Sequence, residues 1–256
     1  MPTLNLSLLQ QPLRWHDGPA NLAHFDGLLA GLHGQDLILL PEMFTTGFAM
    51  DASRHALAEE EVIDWLHDHA QRLQAMIGGS VALATETGAV NRFLLVDPHR
   101  RVHRYDKRHL FRMAGEHQFY RPGAERVIVE WKGFRILPQI CYDLRFPVWC
   151  RNRNDYDLAL FVANWPAPRA HHWTALLTAR AIENQAFVAG CNRIGQDPNG
   201  LSYSGNSLIL SPQGELLAKA GDHQAAVLQA SLSLAELRDY RERFPAWMDA
   251  DDFRLE

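Results

Sequence analysis

Apolar residues recur along this chain with two periods, one of two residues and one near 3.6, and the periods trade places several times. Leu4, Leu6 and Leu8 alternate with polar residues, as in a strand buried on one face. Leu22, Phe25, Leu29 and Leu32 then return at helical spacing. Residues 36–40 form a short, nearly unbroken apolar run, which predicts a strand covered on both faces. The run stops at Pro41, so Glu42 falls at the strand's carboxyl end. A second helix is predicted over 58–74, with Glu59, Glu60 and Glu61 at its positive N-terminal end and Val62, Trp65, Leu66 and Leu73 as its apolar stripe. Strands follow near 76–83, 92–97 and 101–105, the last two joined by a turn at Asp97-Pro98. Segments 127–131 and 134–140, joined by Lys132-Gly133, read as a hairpin whose second strand runs straight into Cys141. A strand at 157–163, a helix marked by Trp173, Leu176, Leu177 and Ala181, strands near 186–191, 207–210 and 225–230, and a helix at 233–243 complete the pattern.

Helices separate some strands, while the middle of the chain holds several strands in succession. That order predicts an α/β layered sandwich with mixed sheets rather than a purely parallel, doubly wound sheet. A chain of 256 residues is long enough to bury a full core without disulfides or a structural metal. The net charge of −5 gives no bulk attraction to nucleic acid or to an anionic membrane. No apolar run approaches the roughly 20 residues of a membrane-spanning helix, and the first residues lack the pattern of a signal peptide. Three cysteines, none at CxxC spacing, are too few for a disulfide framework. These features together lead to the expectation of a cytoplasmic protein.

Candidate chemistry starts at Cys141. A thiol between a buried strand and the next helical turn is presented on a tight elbow, where the following backbone N–H groups favour thiolate and stabilise an oxyanion. The competing reading is a cysteine packed as a small hydrophobe, which suits Cys150 and Cys191. Of the 13 histidines, none lies in a cysteine-protease signature, and most fall on polar segments expected to be solvated. Glu42 is a better candidate base, since desolvation at a strand end would raise its pKa toward the range useful for proton transfer, although a carboxylate that caps or pairs at the strand end is the commoner case at such a position. Lys107 ends a strand in Tyr105-Asp106-Lys107-Arg108-His109-Leu110, where it is either solvated or a fixed cation for a carbonyl oxygen.

Three segments, Leu39-Leu40-Pro41-Glu42-Met43-Phe44, Tyr105-Asp106-Lys107-Arg108-His109-Leu110-Phe111 and Ile140-Cys141-Tyr142-Asp143-Leu144-Arg145-Phe146-Pro147, resemble the signature blocks of the nitrilase superfamily, in that family's order. The resemblance extends to Ala163-Asn164-Trp165-Pro166, to Arg180-Ala181-Ile182-Glu183-Asn184-Gln185, to Gly205-Asn206-Ser207 and to Pro212-Gln213-Gly214-Glu215, and so covers nearly the whole chain. In appearance it falls in the omega-amidase branch. The resemblance implies a single αββα sandwich domain over 1–256 that pairs across an interface into a larger layered dimer, with the tail from about 245 to 256 either solvated or packed at that interface. It implies Glu42 as general base, Lys107 on the oxyanion, Cys141 as nucleophile, Glu116 as a second active-site glutamate, and the Tyr142 N–H as the other oxyanion donor. It implies no metal and no cofactor.

The omega-amidase branch also implies a short dicarboxylic monoamide of the 2-oxoglutaramate or 2-oxosuccinamate type as substrate. Its free carboxylate needs a cation, and Arg145 is the candidate, against a salt bridge to Asp143. Trp165, Phe48 and Phe119 are candidates for the pocket walls. Two other classes compete. A metal hydrolase is prompted by the histidines, but the adjacent pair His171-His172 has no ligand spacing. A non-catalytic binding protein on the same fold is disfavoured by the presence of all three candidate catalytic residues. Within the enzyme class, a nitrile substrate stays open.

Overall fold

The structure is a computed structural model that describes residues 2–86 and 88–254. In chain order its elements are β1 (Thr3–Gln10), α1 (Gly18–Ala30), β2 (Leu37–Leu39), α2 (Ala52–His55), α3 (Glu59–Leu73), β3 (Met76–Thr85), β4 (Gly88–Val96), β5 (Val102–Asp106), α4 (Glu116–Phe119), β6 (Val129–Trp131), β7 (Phe134–Ile140), α5 (Pro147–Cys150), β8 (Leu158–Ala163), α6 (Ala170–Asn184), β9 (Phe187–Asn192), β10 (Ile194–Gln196), β11 (Ser202–Ser204), β12 (Leu208–Leu210), β13 (Leu216–Lys219), β14 (Ala226–Ser233) and α7 (Leu234–Arg243). Two mixed sheets have the orders β14-β1-β2-β3-β4-β5 and β13-β12-β9-β8-β7-β6, and β10 and β11 form a separate ribbon.

Side-chain alternation along the strands builds four layers. Leu37 and Leu39 of β2 point to a core shared with Ile136, Ile140, Leu160 and Val162 of the second sheet. Ile38, between them, points the other way, to a core with Phe25 and Leu29 of α1 and Val62 and Leu66 of α3. On the far side of the second sheet, Leu137, Ala159 and Phe161 pack with Trp173 and Leu177 of α6. Helices therefore cover the outer face of each sheet and the inner faces pack together, the αββα sandwich. Such strands are buried on both faces and read as continuous apolar runs, which is why β2 and β8 were legible.

β1 departs from the half-buried strand its alternation predicts. It lies between β2 and β14, and its polar positions Ser7 and Gln10 are buried with the leucines. Partners meet their cost. Ser7 Oγ donates to Gln35 Oε1 at 2.8 Å, and Gln10 Oε1 accepts from Ser207 N at 2.9 Å. The tail also folds back on its own chain, since Phe253 lies 4.5 Å from the Arg153 guanidinium. Leu255 and Glu256 lie outside the described residues. Among the described residues no helix is long and apolar enough to cross a membrane.

Candidate active site

Four strand ends converge at one edge of the sandwich. Glu42 follows β2 and Lys107 follows β5 in the first sheet; Cys141 follows β7 and Asn164 follows β8 in the second. The backbone is tightened at both turns. Met43 and Cys141 have φ of 47° and 44°, left-handed values that cost a residue with a Cβ roughly 1–2 kcal/mol. At Cys141 this strain turns the chain out of β7 into a 3₁₀ turn spanning Cys141–Arg145. The Lys107 backbone is gripped on two sides, its N–H donating to Asn91 O at 2.9 Å and its carbonyl accepting from Gly123 N at 2.8 Å. A Cβ at Gly123 would sit 2.2 Å from Asp106 O, so only glycine permits that approach.

The Lys107 ammonium is fully buried between two fully buried carboxylates. Its Nζ donates to Glu42 Oε1 at 2.9 Å and to both oxygens of Glu116 at 3.0 Å. Glu42 takes further donors from Asn91 Nδ2 (2.8 Å) and the Asn164 backbone N–H (2.7 Å). The Asn164 side-chain amide also donates to the Glu42 carbonyl at 2.7 Å, so Glu42 is held from both sheets. Burial opposes the charge on Lys107, but Glu116 and Glu42 outweigh it and hold its pKa well above the lysine range. Burial raises the Glu116 carboxyl, with Glu42 adding to the effect and Lys107 offsetting part of it. Burial and then the charge of Glu42 push the Cys141 thiol well above the ordinary range, Lys107 opposing. Burial therefore disfavours the thiolate, against the expectation that the N–H groups of the elbow would favour it.

Cys141 opens onto a cavity of about 400 Å³. Of the residues expected in its walls, Phe48, Tyr142, Arg145 and Trp165 line it. Phe119 does not. It is 52 % exposed at the far end of α4, whose first residue, Glu116, is buried. Arg145 does not pair with Asp143 either. Its guanidinium lies 4.6 Å from the Trp165 ring and its Nη2 is 3.2 Å from His172 Nδ1. Arg169 joins it at the cavity, and among the described residues neither has a carboxylate within 4.0 Å. Burial lowers the pKa of Arg145, Tyr142 opposes this, and Arg169 adds to it. Cys150 and Cys191 are core residues as expected, and burial pushes the Cys150 thiol up to about 12.

Several wall residues carried no signal in the reading of periods. Trp15 and His16 come from the loop after β1, and Asp197, Asn199, Leu201 and Tyr203 from the β10–β11 ribbon. The turn residues Asp197-Pro198-Asn199-Gly200 were the available clue to that ribbon. A larger groove of about 830 Å³ lies at the other end of the second sheet, lined by Arg135, Asp157 and Arg241 among others. It contains no thiol, so chemistry rather than size places the site. Among the described residues no group of three or more His, Cys, Asp or Glu side chains is arranged to hold a metal ion.

A buried glutamate–lysine–glutamate cluster beside a thiol on a strained strand end is the equipment of a carbon–nitrogen hydrolase, and the model of that family, "Carbon-nitrogen hydrolase", matches residues 5–242. The chain belongs to this family and is an amide-hydrolysing enzyme. It is 66 % identical over 255 residues to Omega-amidase YafV of Escherichia coli K12, covering 100 % of both chains. It is 37 % identical over 221 residues to the 2-oxoglutaramate amidase of Bacillus subtilis, covering 84 % of each. Among solved structures, XC1258 of Xanthomonas campestris, a CN-hydrolase superfamily protein with an arsenic adduct in its active site, superposes with a TM-score of 0.97 at 47 % identity over the full length of both chains.

Proposed function

We propose that this enzyme is an omega-amidase that releases ammonia from a short dicarboxylic monoamide of the 2-oxoglutaramate type through a Cys141 thioester. The observation that carries the reading is a cavity whose wall holds Cys141 and Lys107, the lysine backed by Glu42 and Glu116, together with two arginines that have no carboxylate partner among the described residues. The similarity to Omega-amidase YafV and to the 2-oxoglutaramate amidase supports the choice of substrate.

In this mechanism Glu42 takes the thiol proton as Cys141 sulfur attacks the amide carbon. One N–H of Lys107 goes to Glu42 and one is shared between the two oxygens of Glu116, which leaves the third for the developing oxyanion, alongside the Tyr142 N–H. Collapse breaks the C–N bond, and the leaving nitrogen takes the proton from Glu42 to depart as ammonia. Water then attacks the thioester with Glu42 again as base, and the sulfur leaves to recover its proton. Glu116 holds Lys107 in place. Arg145, stacked on Trp165, takes the free carboxylate, and Phe48 walls the acyl chain.

We infer further that the enzyme works in the cytoplasm as a homodimer, without cofactor, nucleic acid or membrane. The exposed Val148 of α5 and Ile182 of α6, on the outer helical layer, support pairing through that face.

The test is ammonia release across a panel of 2-oxo acid monoamides, amino acid amides, neutral amides and nitriles. The expected result is highest kcat/KM on 2-oxoglutaramate, loss of all activity above background in Cys141→Ala, and a KM increase in Arg145→Ala confined to acidic substrates. Ammonia release by Cys141→Ala near the wild-type rate would overturn the mechanism, and a preference for nitriles or neutral amides would overturn the substrate.

A further inference from the structure

Asp143 is a fully buried carboxylate, two residues past Cys141, that takes no part in this chemistry and does not line the cavity. Its Oδ2 accepts from Tyr105 OH at 2.8 Å and from Ile140 N at 3.1 Å. Its Oδ1 accepts from the His109 backbone N–H at 2.9 Å and lies 2.8 Å from His109 Nδ1. Tyr105 and His109 stand two residues before and two residues after Lys107, and Ile140 immediately precedes Cys141. All the lone-pair directions of one carboxylate are thus spent on the two segments that present the lysine and the thiol. The surroundings make the contact rigid. The His109 ring stacks on Phe146 at 3.7 Å, and Trp149 Nε1 donates to Tyr105 OH at 3.0 Å.

We propose that Asp143, through His109, Tyr105 and Ile140, is a positioning residue that sets the separation between the Lys107 ammonium and the Cys141 thiol. The proposal rests on the reading of those two groups as the reacting pair. Lys107 follows β5, at the edge of the first sheet, and Cys141 follows β7 in the second. No backbone ladder joins these strands, so sheet pairing does not fix the distance between their ends. Apolar packing between sheets is non-directional and leaves slack, while displacement of a reacting group by about 1 Å costs on the order of 10² in rate. Charge-assisted hydrogen bonds remove that slack, because they are short and roughly twice as strong as neutral ones. The bond from Ile140 N also closes the elbow around the left-handed Cys141 and holds its strained φ in place. Since an ionised Asp143 only accepts, His109 Nδ1 carries its hydrogen toward it.

The design calls for a carboxylate rather than an amide. Asparagine has one acceptor oxygen, so in Asp143→Asn the NH₂ group must face either the His109 pair or the Tyr105 and Ile140 pair, donor against donor. Either orientation frees one catalytic segment from the other.

The experiment measures kcat and KM for ammonia release by Asp143→Asn, His109→Ala and His109→Asn. Rates are normalised to Cys141 sites labelled by iodoacetamide in the native protein, with Cys141→Ala as control. The expected result is a fall in kcat per labelled site on the order of 10² in Asp143→Asn, with KM within about threefold, since the cavity walls are untouched. His109→Ala should show a smaller loss of the same kind, and His109→Asn, whose amide N–H reaches the place of Nδ1, should recover most of it. If Asp143→Asn does not fold, the two His109 variants decide the matter by the same readouts. A kcat per labelled site within threefold of wild type in Asp143→Asn, or in His109→Ala when that pair decides, overturns the proposal, because loss of folded molecules alone lowers the number of sites and not their turnover. An active Cys141→Ala would sink the mechanism itself, a result distinct from failure of the positioning role.

Discussion

β8 carries a buried charge cluster at each end, and the two clusters are opposites. Past its last residue a cation sits between two carboxylates, with Lys107 Nζ 2.9 Å from Glu42 and 3.0 Å from Glu116. Before its first residue a carboxylate sits between two cations, with Asp157 Oδ1 2.8 Å from Arg135 and 2.9 Å from Arg241. At the Asp157 end burial would raise the carboxyl, but the hydrogen bonds and charges of Arg135, with Arg241, more than offset it and hold its pKa below the usual range. At the Lys107 end burial wins for Glu116 and for Cys141, and both are raised. The difference lies in the surplus charge and where it can go. The guanidinium of Arg135 reaches partly into solvent, whereas the surplus negative charge around Lys107 is wholly enclosed. A pair whose ions are stabilised contributes to folding, while a site where burial raises the Glu116 carboxyl and the Cys141 thiol is suited to moving a proton.

Breaking each cluster separates the two roles. In the proposed mechanism Lys107→Met removes an oxyanion donor, and kcat/KM should fall by at least about 10²–10³-fold. The carboxylates it leaves behind should take up a proton, visible on titration of the folded protein as a net charge equal to that of wild type instead of one unit more negative. Retention of a tenth of wild-type activity would show that Lys107 is no more catalytic than Asp157 is.

Asp157→Asn should have the converse effect, leaving kcat and KM within about twofold while stability falls by about 3 kcal/mol, since it leaves Arg241 buried without its partner. For a chain of this size the unfolding midpoint should drop by roughly 5–10 °C. The dependence on acid sharpens this. Because the folded Asp157 carboxyl is depressed, its stabilisation is present above the unfolded value of about 3.9 and is lost as pH falls through the lower folded value. The stability gap between wild type and Asp157→Asn should therefore be constant near neutrality and close below about pH 4. A gap that persists undiminished at pH 2 would mean that packing, not charge, is what Asp157 supplies.

The chain's apolar pattern made most of this frame legible. The hairpin 134–140 segment matches β7 (Phe134–Ile140), and the 58–74 helix differs from α3 (Glu59–Leu73) by one residue at each end, because long periodic segments packed on a core obey their period. Glu42 and Lys107 were visible as charged residues closing strands, but that position alone suits a capping or solvated residue, and it was the resemblance of their segments to the nitrilase blocks that singled them out. The ribbon β10–β11 was missed, since strands of three residues carry no measurable period, although its Pro-Asn-Gly turn was in plain view. Asn91, Asn164 and Asp143 were missed for another reason. Each is a single polar residue in or beside an apolar strand, and only the contacts across the two sheets reveal that they hold Glu42 and the Cys141 elbow in place.

The smallest expected effect concerns Phe119, placed in the pocket wall by its nearness in sequence to Glu116. A helix of four residues is too short for periodicity to say which face is buried, and α4 turns Glu116 inward while leaving Phe119 52 % exposed. Phe119→Ala removes little buried area, so kcat/KM should stay within about twofold and stability within about 0.5 kcal/mol. Glu116→Gln, three residues away on the same helix, should lower kcat severely, because the ion pair to Lys107 is lost while the helix remains. A tenfold loss of activity in Phe119→Ala would mean that α4 closes inward over the cavity during turnover, which would make the two ends of β8 differ in mobility as well as in charge.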